Sequence, residues 1–170
     1  MCQKIVLVGN AYPNKDYSNF IDSHDIIIRF NHVNFLHTKK VGTRCDFLVI
    51  QNMDEDYRNG RGTYQDCNNI IFIAENVDKN FSHLIIESNK WHNKSFNIVY
   101  SDTLEIKEKL EGNNGSRGFI ILNWLLKQSE KWDLPISLVC FTWQGWKGHA
   151  WDKEKNKCHN YEEKGLITIL

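Results

Sequence analysis

The chain has 170 residues, a length that fits one domain, residues 1–170, able to bury about 70% of its unfolded surface. Its 21 basic and 21 acidic side chains balance, so no global field would hold nucleic acid or an anionic membrane. Any anionic ligand must therefore be bound by local groups. The five cysteines are an odd number, widely spaced and without a CxxC pair, which argues against a cysteine zinc site. Together with the lack of a signal peptide, they predict a reduced, cytoplasmic setting.

Short aliphatic runs bounded by turn residues alternate with stretches of helical character along the chain. Strands that alternate with helices predict a single-domain α/β Rossmann-like layer fold, with a mainly parallel sheet flanked by helices. In chain order, we predict a strand at Lys4–Val8, a short helix within Asn14–Phe20, strands at Asp25–Phe30 and Phe47–Ile50, a polar loop over Asn52–Asn69, a strand at Ile70–Ala74, a weak helix or irregular segment at Phe81–Trp91, a strand at Phe96–Tyr100, helices from Ser101 or Asp102 to Glu111 and from Gly118 to Trp132, a strand at Ile136–Phe141 and a helix at Glu162–Leu170.

Polar clusters follow several of these strands, namely Gly9-Asn10, Arg29 to Asn31 and Gln51-Asn52. In a parallel sheet, ligands collect at the carboxyl ends of the strands. The turn Gly115 to Gly118 opens a buried helix, where free amides and the helix dipole suit an anion. An ordinary tight loop is the alternative at this turn. The segment VGNAYPN lacks the later glycines of a dinucleotide fingerprint, which disfavours an NAD or FAD site.

The segment after the last predicted central strand is rich in tryptophan and carries His149 and His159. Imidazole exchanges protons near neutral pH, so two histidines at a strand-end crevice suit acid–base chemistry. A surface loop with packed aromatic rings and solvated histidines is the alternative interpretation. Asp54 and Asp56 resemble the paired carboxylates that hold a divalent ion, but a solvated charge run is the favoured interpretation there.

Four segments, taken together, resemble the sialyl motifs of the glycosyltransferase family 29 sialyltransferases. VGN, IDSHDIIIRFN and VGTR, within residues 8–44, are similar to the large sialyl motif. GSRGFIIL, continuing to LPISLVCF, resembles the small motif, and His149-Ala150-Trp151-Asp152 resembles the third motif. HNYEEKGLITIL resembles the very short motif. The segments occur in the family's order and cover about half of the chain.

Three departures from the family pattern affect the expected site. The very short motif places a glutamate five residues after its histidine, where this chain has Lys164 after His159. His149 does have a glutamate at that spacing, Glu154, so the roles of the two histidines can be exchanged. Arg117 occupies the small motif's serine or threonine position. The cysteine pair that links the large and small motifs in Golgi members has no clear equivalent, which agrees with a reduced compartment. The chain is also much shorter than animal members of the family, so it resembles a compact bacterial or viral relative.

The resemblance implies an inverting transfer of sialic acid, or of a related ulosonic acid, from CMP to a glycan hydroxyl, without a metal or a cofactor. It implies catalytic roles for His159 as the base, His149 for the leaving phosphate, and Glu163 or its neighbour Glu162 to orient His159. The residues that the resemblance places in donor binding are Gly9, Asn10, Arg29, Asn31, Ser116, Arg117 and Gly118. The aromatic rings of Trp143, Trp146 and Trp151 are a candidate lid or sugar platform, with plain packing as the alternative.

The partners that the resemblance implies are a CMP-sugar donor and a glycan or glycolipid acceptor. We expect no nucleic-acid partner and no transmembrane segment, and peripheral association with the inner face of the membrane stays open. Two other functions remain as alternatives. One is a shortened, non-catalytic nucleotide-binding relative, and the other is a metal-dependent glycosyltransferase that uses Asp54 and Asp56 with a nucleoside diphosphate sugar.

Overall fold

The computed structural model describes residues 3–30, 39–50, 67, 69–74, 95–100, 103–132, 134–145 and 147–170. The elements within these ranges alternate between strands and helices, as the sequence pattern predicts. In chain order they are β1 (Ile5–Val8), α1 (Ser18–Asp22), β2 (Ile26–Phe30), β3 (Phe47–Ile50), β4 (Asn69–Ala74), β5 (Ser95–Tyr100), α2 (Thr103–Lys109), α3 (Arg117–Trp132), β6 (Ile136–Val139), α4 (Trp151–Glu163) and β7 (Ile167–Ile169).

The seven strands form one sheet in the order β5-β4-β3-β2-β1-β6-β7, and each neighbouring pair is parallel. The strand order reverses at β1, which pairs with β2 on one side and with β6 on the other. In register, Ile5 of β1 lies between Ile26 and Ile136. Such a reversal opens a crevice at the carboxyl ends of the two strands, where doubly wound folds bind their ligands.

The side chains of each strand alternate between the two faces of the sheet, and helices pack against both faces. Ile5 and Leu7 of β1 pack in the larger core cluster, which also contains side chains of α2, α3 and α4. Val6 and Val8 pack in the smaller cluster with Ile21 of α1. The predicted α/β Rossmann-like layer fold with a parallel sheet is therefore confirmed.

The predicted C-terminal helix at Glu162–Leu170 is wrong, since α4 ends at Glu163 and Ile167–Ile169 forms β7 at the edge of the sheet. The actual helix lies in the segment that the sequence pattern assigned to a tryptophan-rich loop. Its inward face carries residues at spacings of three and four, as an amphipathic helix requires. These residues are Trp151, Glu154, Cys158 and Tyr161. Because Glu154 and Cys158 on this inward face are not typical apolar residues, the apolar residues of the segment do not repeat with a helical period.

Helix α4 ends in a hydrogen-bonded turn that leads directly into β7. Gly165 has a left-handed φ of 70°, its amide donates to the Glu162 carbonyl at 2.8 Å, and the Leu166 amide donates to the Tyr161 carbonyl at 2.9 Å. This pair of bonds is the Schellman arrangement, for which glycine is favoured because a Cβ disfavours a positive φ.

Helix α1 also differs from its predicted position, since it occupies Ser18–Asp22 and not Asn14–Phe20. The Asp16 carboxylate accepts hydrogen bonds from the amide and the hydroxyl of Ser18, so the polar residues before Ser18 form a turn instead of a helix. The predicted segment Phe81–Trp91 and most of the predicted loop Asn52–Asn69 lie outside the described residues. None of the helices in the described ranges combines the length and apolar character needed to cross a bilayer.

Candidate functional site

The chain segments that follow β1 and β6 remain in contact beyond the ends of the two strands. The Gly9 amide donates to the Val139 carbonyl at 2.8 Å, and the Ala11 amide donates to the Cys140 carbonyl at 3.2 Å. A Cβ placed on Gly9 would lie 2.3 Å from the Cys140 carbonyl oxygen. Glycine is therefore required at position 9 by the close approach of two backbones at the crevice floor.

Asn10 is exposed at this end of the sheet. Its side-chain amide donates to the Phe30 carbonyl at 2.9 Å, which ties the end of β1 to the end of β2. A ligand above the strand ends would therefore meet a fixed asparagine. Asn31, the second predicted donor-binding asparagine, lies outside the described residues.

Arg29 does not lie on the crevice surface, since its side chain is fully buried. The guanidinium Nε donates to the Arg44 carbonyl at 2.8 Å, and one terminal nitrogen donates to the Val41 carbonyl at 2.6 Å. Both acceptors belong to the VGTR segment. The structure therefore gives Arg29 a structural role, in which it anchors this segment against β2.

The start of α3 is capped by a side chain from α4. The Ser116 hydroxyl accepts from the Phe119 amide at 3.2 Å, as a helix cap does. The carboxylate of Glu154 accepts from the Ser116 amide and from the Ser116 hydroxyl, each at 2.6 Å. Glu154 is only 2% exposed. Part of the anion site that the sequence predicts at this turn is therefore filled by the protein's own carboxylate.

Burial raises the pKa of Glu154, and the two hydrogen bonds from Ser116 oppose that shift. A buried carboxylate is costly unless it is hydrogen-bonded, and here the amide and hydroxyl of Ser116 supply those bonds at the positive end of a helix dipole. Sequence reasoning noted Glu154 only for its spacing from His149. The position of Glu154 on the inward face of α4 is the signal that identifies it as a buried residue.

Gly118 lets the first turn of α3 approach the residues that follow β6. A Cβ on Gly118 would lie 2.6 Å from a ring carbon of Phe141. The Phe141 ring in turn packs edge-on against Phe30, with ring centroids 6.2 Å apart. Ser116 and Gly118, both predicted donor-binding residues, thus lie beside the carboxyl end of β6, and Arg117 between them is partly exposed.

His149 precedes α4 and is partly buried next to the start of α3. Burial lowers the pKa of His149, the charge of Arg117 lowers it further, and a hydrogen bond with the Asn114 backbone opposes both effects. The lowered pKa favours the neutral imidazole, the form that can accept a proton. Its ring lies 4.9 Å from the Trp151 ring in an edge-on contact.

His159 lies on α4, with 46% of its side chain exposed and its Nδ1 3.5 Å from a carboxylate oxygen of Glu162. The other oxygen of Glu162 accepts from the Ile169 amide at 2.8 Å. The predicted partner Glu163 is exposed, so Glu162 is the carboxylate beside His159. At a rise of about 1.5 Å per residue, His159 lies about 12 Å along α4 from Trp151, the first residue of the helix. The structure thus separates the two histidines.

Trp143 packs as part of the wall between the crevice and α4. Its ring lies 6.3 Å from that of Phe141 and 5.6 Å from that of His159. Trp143 and Cys140 have left-handed φ values of 49° and 61°. Such strain costs about 1–3 kcal/mol for each residue and tends to occur at functional sites. Trp146 lies outside the described residues, so a lid formed by the three tryptophans stays a prediction.

No cluster of three or more metal-binding side chains occurs among the described residues, and Asp54 and Asp56 lie outside them. The candidate site consists of Asn10 at the end of β1 and of the start of α3 with the adjacent His149, and Gly118 brings the start of α3 against Phe141 beyond the end of β6. The chain matches no protein-family model, and no protein of curated function resembles it closely enough to count as a match.

Proposed function

We propose that this protein is a metal-independent glycosyltransferase that moves an acidic sugar, sialic acid or a related ulosonic acid, from CMP to a glycan hydroxyl with inversion. The proposal begins with the resemblance of four segments to the sialyl motifs of glycosyltransferase family 29. The contact between Glu154 and Ser116 is the observation that supports it most strongly. This contact joins the segment that resembles the small motif to the segment that contains His149, at the carboxyl ends of the parallel strands.

In this proposal, His149 is the general base, in place of His159. The glutamate five residues after His149 is buried and fixed on Ser116, whereas Lys164 occupies that position after His159. His149 also has the lowered pKa that keeps a base unprotonated. We therefore assign Glu154 as a positioning residue, which holds the start of α4 and the adjacent His149 against α3.

The leaving CMP phosphate requires stabilisation of its charge. The Ser116 amide is bound to Glu154, so we assign this role to the partly exposed Arg117 and to the backbone of the first turn of α3. Asn10 contacts the nucleotide from the end of β1. The acceptor hydroxyl would then lie between His149 and the anomeric carbon, so that its proton passes to the imidazole as the sugar–phosphate bond breaks.

CMP binding without metal is the first test. We expect CMP to raise the melting temperature in the presence of EDTA, because a ligand that binds only the native state stabilises it. Asn10→Ala should reduce this shift, whereas an exposed change on α4, Lys155→Ala, should leave it intact. The absence of any shift with millimolar CMP would rule out the donor assignment.

A non-catalytic nucleotide-binding protein is the second candidate. The occupied Ser116 amide favours it, because one helix-terminal donor is no longer available to a phosphate in the transition state. This alternative predicts CMP binding without release of CMP from CMP-sialic acid. Slow release by the wild type, abolished in His149→Ala, would instead support the transferase.

A further inference from the structure

Two cysteines precede the neighbouring parallel strands β3 and β4 at equivalent positions. Cys45 comes two residues before Phe47, and Cys67 comes two residues before Asn69. Phe47 and Asn69 are partners in the register of the two strands. Neighbouring strands lie about 4.8 Å apart, and a disulfide joins Cα atoms that are about 4.4–6.8 Å apart. Equivalent positions at the starts of these strands are therefore within reach of a disulfide.

Hydrogen bonds hold both cysteines at this end of the sheet. The Cys45 thiol donates to the Phe47 carbonyl at 3.4 Å, and the Cys67 thiol donates to the Asn69 carbonyl at 3.3 Å. The Asn69 side-chain amide donates to the Asp46 carbonyl at 2.9 Å, which links the residue after Cys45 to the start of β4. The positions of the two cysteines are therefore fixed by the pairing of β3 with β4.

The two thiols also contact each other. A hydrogen bond with Cys67 is the main cause of the raised pKa of Cys45, and burial adds to it. The charge of Asp46 raises this pKa further, whereas the charge of Arg29 opposes the shift. Both residues are present as thiols. A disulfide requires their sulfur atoms to approach from this contact to about 2.05 Å.

The two thiols differ in their exposure to solvent. Cys45 is partly exposed, whereas Cys67 is fully buried. An oxidant therefore reaches Cys45 first, and Cys67 lies beside it. The thiolate is the form that attacks a disulfide, so the raised pKa of Cys45 makes this attack slow near neutral pH and faster at alkaline pH.

We propose that Cys45 and Cys67 form a reversible disulfide, a redox-sensitive crosslink between the starts of β3 and β4. A reducing compartment keeps the pair as thiols, and disulfides in such a compartment are usually transient and redox-sensing. The oxidant is a small-molecule disulfide such as oxidised glutathione. This modification site lies at the amino-terminal ends of the strands and does not depend on the proposed glycosyl transfer.

The reaction proceeds by two exchange steps. The Cys45 thiolate attacks one sulfur of oxidised glutathione, the glutathione S–S bond breaks, and one glutathione thiolate leaves. The Cys67 thiolate then attacks the Cys45 sulfur of the mixed disulfide, and the second glutathione thiolate leaves. The two protein thiols are oxidised, oxidised glutathione is reduced to two thiols, and the two protons of the protein thiols pass to the leaving groups.

Peptide mapping of the folded protein without reduction, after exposure to oxidised glutathione at alkaline pH, tests the site. We expect a peptide that joins Cys45 to Cys67 and that dithiothreitol separates. Cys67→Ala should instead accumulate a glutathione adduct on Cys45, because the thiol that displaces glutathione is missing. The matched control Cys158→Ala, which removes another buried thiol, should form the disulfide as the wild type does.

The melting temperature gives a second measurement. The disulfide closes a loop of about 20 residues, so the oxidised wild type should melt about 5–10 °C above the reduced protein. Cys45→Ala, treated in the same way, should show no such increase.

Mapping of the wild type needs no substitution, so it decides the matter even if Cys67→Ala does not fold. The proposal is wrong if both thiols persist in the folded wild type, or if Cys45 keeps glutathione while Cys67 is present. A bond from Cys45 to another cysteine, in the same chain or in a second copy, would equally overturn it. Formation of the disulfide only in urea would show that the native pairing of β3 with β4 does not bring the two thiols together.

Discussion

The carboxylate of Glu154 binds the amide and the hydroxyl of Ser116, each at 2.6 Å, across 38 positions of sequence. This contact places the carboxyl group of Glu154 from α4 at the positive end of the α3 dipole, where the dipole and the hydrogen bonds from Ser116 offset part of the cost of its burial. It also fixes the first turns of two helices that both begin above the carboxyl ends of β1 and β6. The relative position of His149 and Arg117 depends on this link.

Removal of the Glu154 side chain should destabilise the fold. Glu154→Ala leaves the buried Ser116 amide without its acceptor, and we expect a loss of about 2–3 kcal/mol in the free energy of unfolding. Glu154→Gln keeps one acceptor oxygen and removes a buried charge, so it should cost far less. Urea denaturation of the three proteins measures the difference, and equal losses in the two variants would contradict the assigned contact.

The difference in stability between the wild type and Glu154→Gln should depend on pH. Since burial raises the pKa of Glu154 above its ordinary value of 4.5, the native state favours the protonated acid. Its contribution to stability is fully present below pH 4.5 and is lost as the pH rises through the raised pKa. The stability of the wild type relative to Glu154→Gln should therefore fall as the pH rises above 4.5 and through the raised pKa. A difference that rises with pH would show that the carboxylate is stabilised in its charged form.

Close contacts at two glycines predict different responses to an added methyl group. Gly118→Ala forces the Phe141 ring to move and should cost about 1–3 kcal/mol, as overpacking does. Gly9→Ala should cost more, because its clash is with the Cys140 carbonyl, a backbone group. Phe141→Leu should recover part of the loss in Gly118→Ala but much less of the loss in Gly9→Ala. Chemical denaturation of the single and double variants measures this coupling, and strict additivity at both sites would refute the contacts.

The charge of Arg117 should contribute to the lowered pKa of His149. Burial is the main cause of the lowered pKa of His149, and Arg117 adds to it. Arg117→Gln removes a repulsive positive charge, so the pKa of His149 should rise toward the ordinary value of 6.5. Titration of the imidazole by NMR measures the shift directly. In the transferase proposal, the acid limb of the rate profile moves to higher pH by the same amount. A pKa that falls in Arg117→Gln would contradict the arrangement.

The sequence predicted six of the seven strands that lie in the described part of the chain, because each of the six is a short aliphatic run between turn residues. It missed α4 because two of the four residues on the inward face of that helix, Glu154 and Cys158, do not carry the usual apolar signal. The core position of Arg29 was equally hidden, since an arginine at a strand end gives no sign of whether it will bind carbonyl groups or a ligand. In both cases, tertiary contacts with segments distant in the sequence determine whether the side chain is buried. For Arg29, these contacts are with residues 41–44.

The candidate site was predicted in part. Asn10, Ser116, Arg117 and Gly118 do lie around the ends of β1 and β6, as their positions after a strand or at a helix start indicate. The choice between His149 and His159 depended on a helix that the pattern did not reveal. Once α4 is placed, His149 lies just before its first residue and beside Arg117 at the start of α3, whereas His159 lies about two turns farther along the helix.

Release of CMP from CMP-sialic acid in the presence of EDTA tests the central claim most directly, with the wild type, His149→Ala and His159→Ala compared at equal concentration. We expect slow release by the wild type, near-complete loss in His149→Ala with CMP binding preserved, and release in His159→Ala close to that of the wild type. Loss of release in His159→Ala, with His149→Ala fully active, would contradict the assignment of the base. No release by the folded wild type with any acceptor offered would contradict the transferase itself.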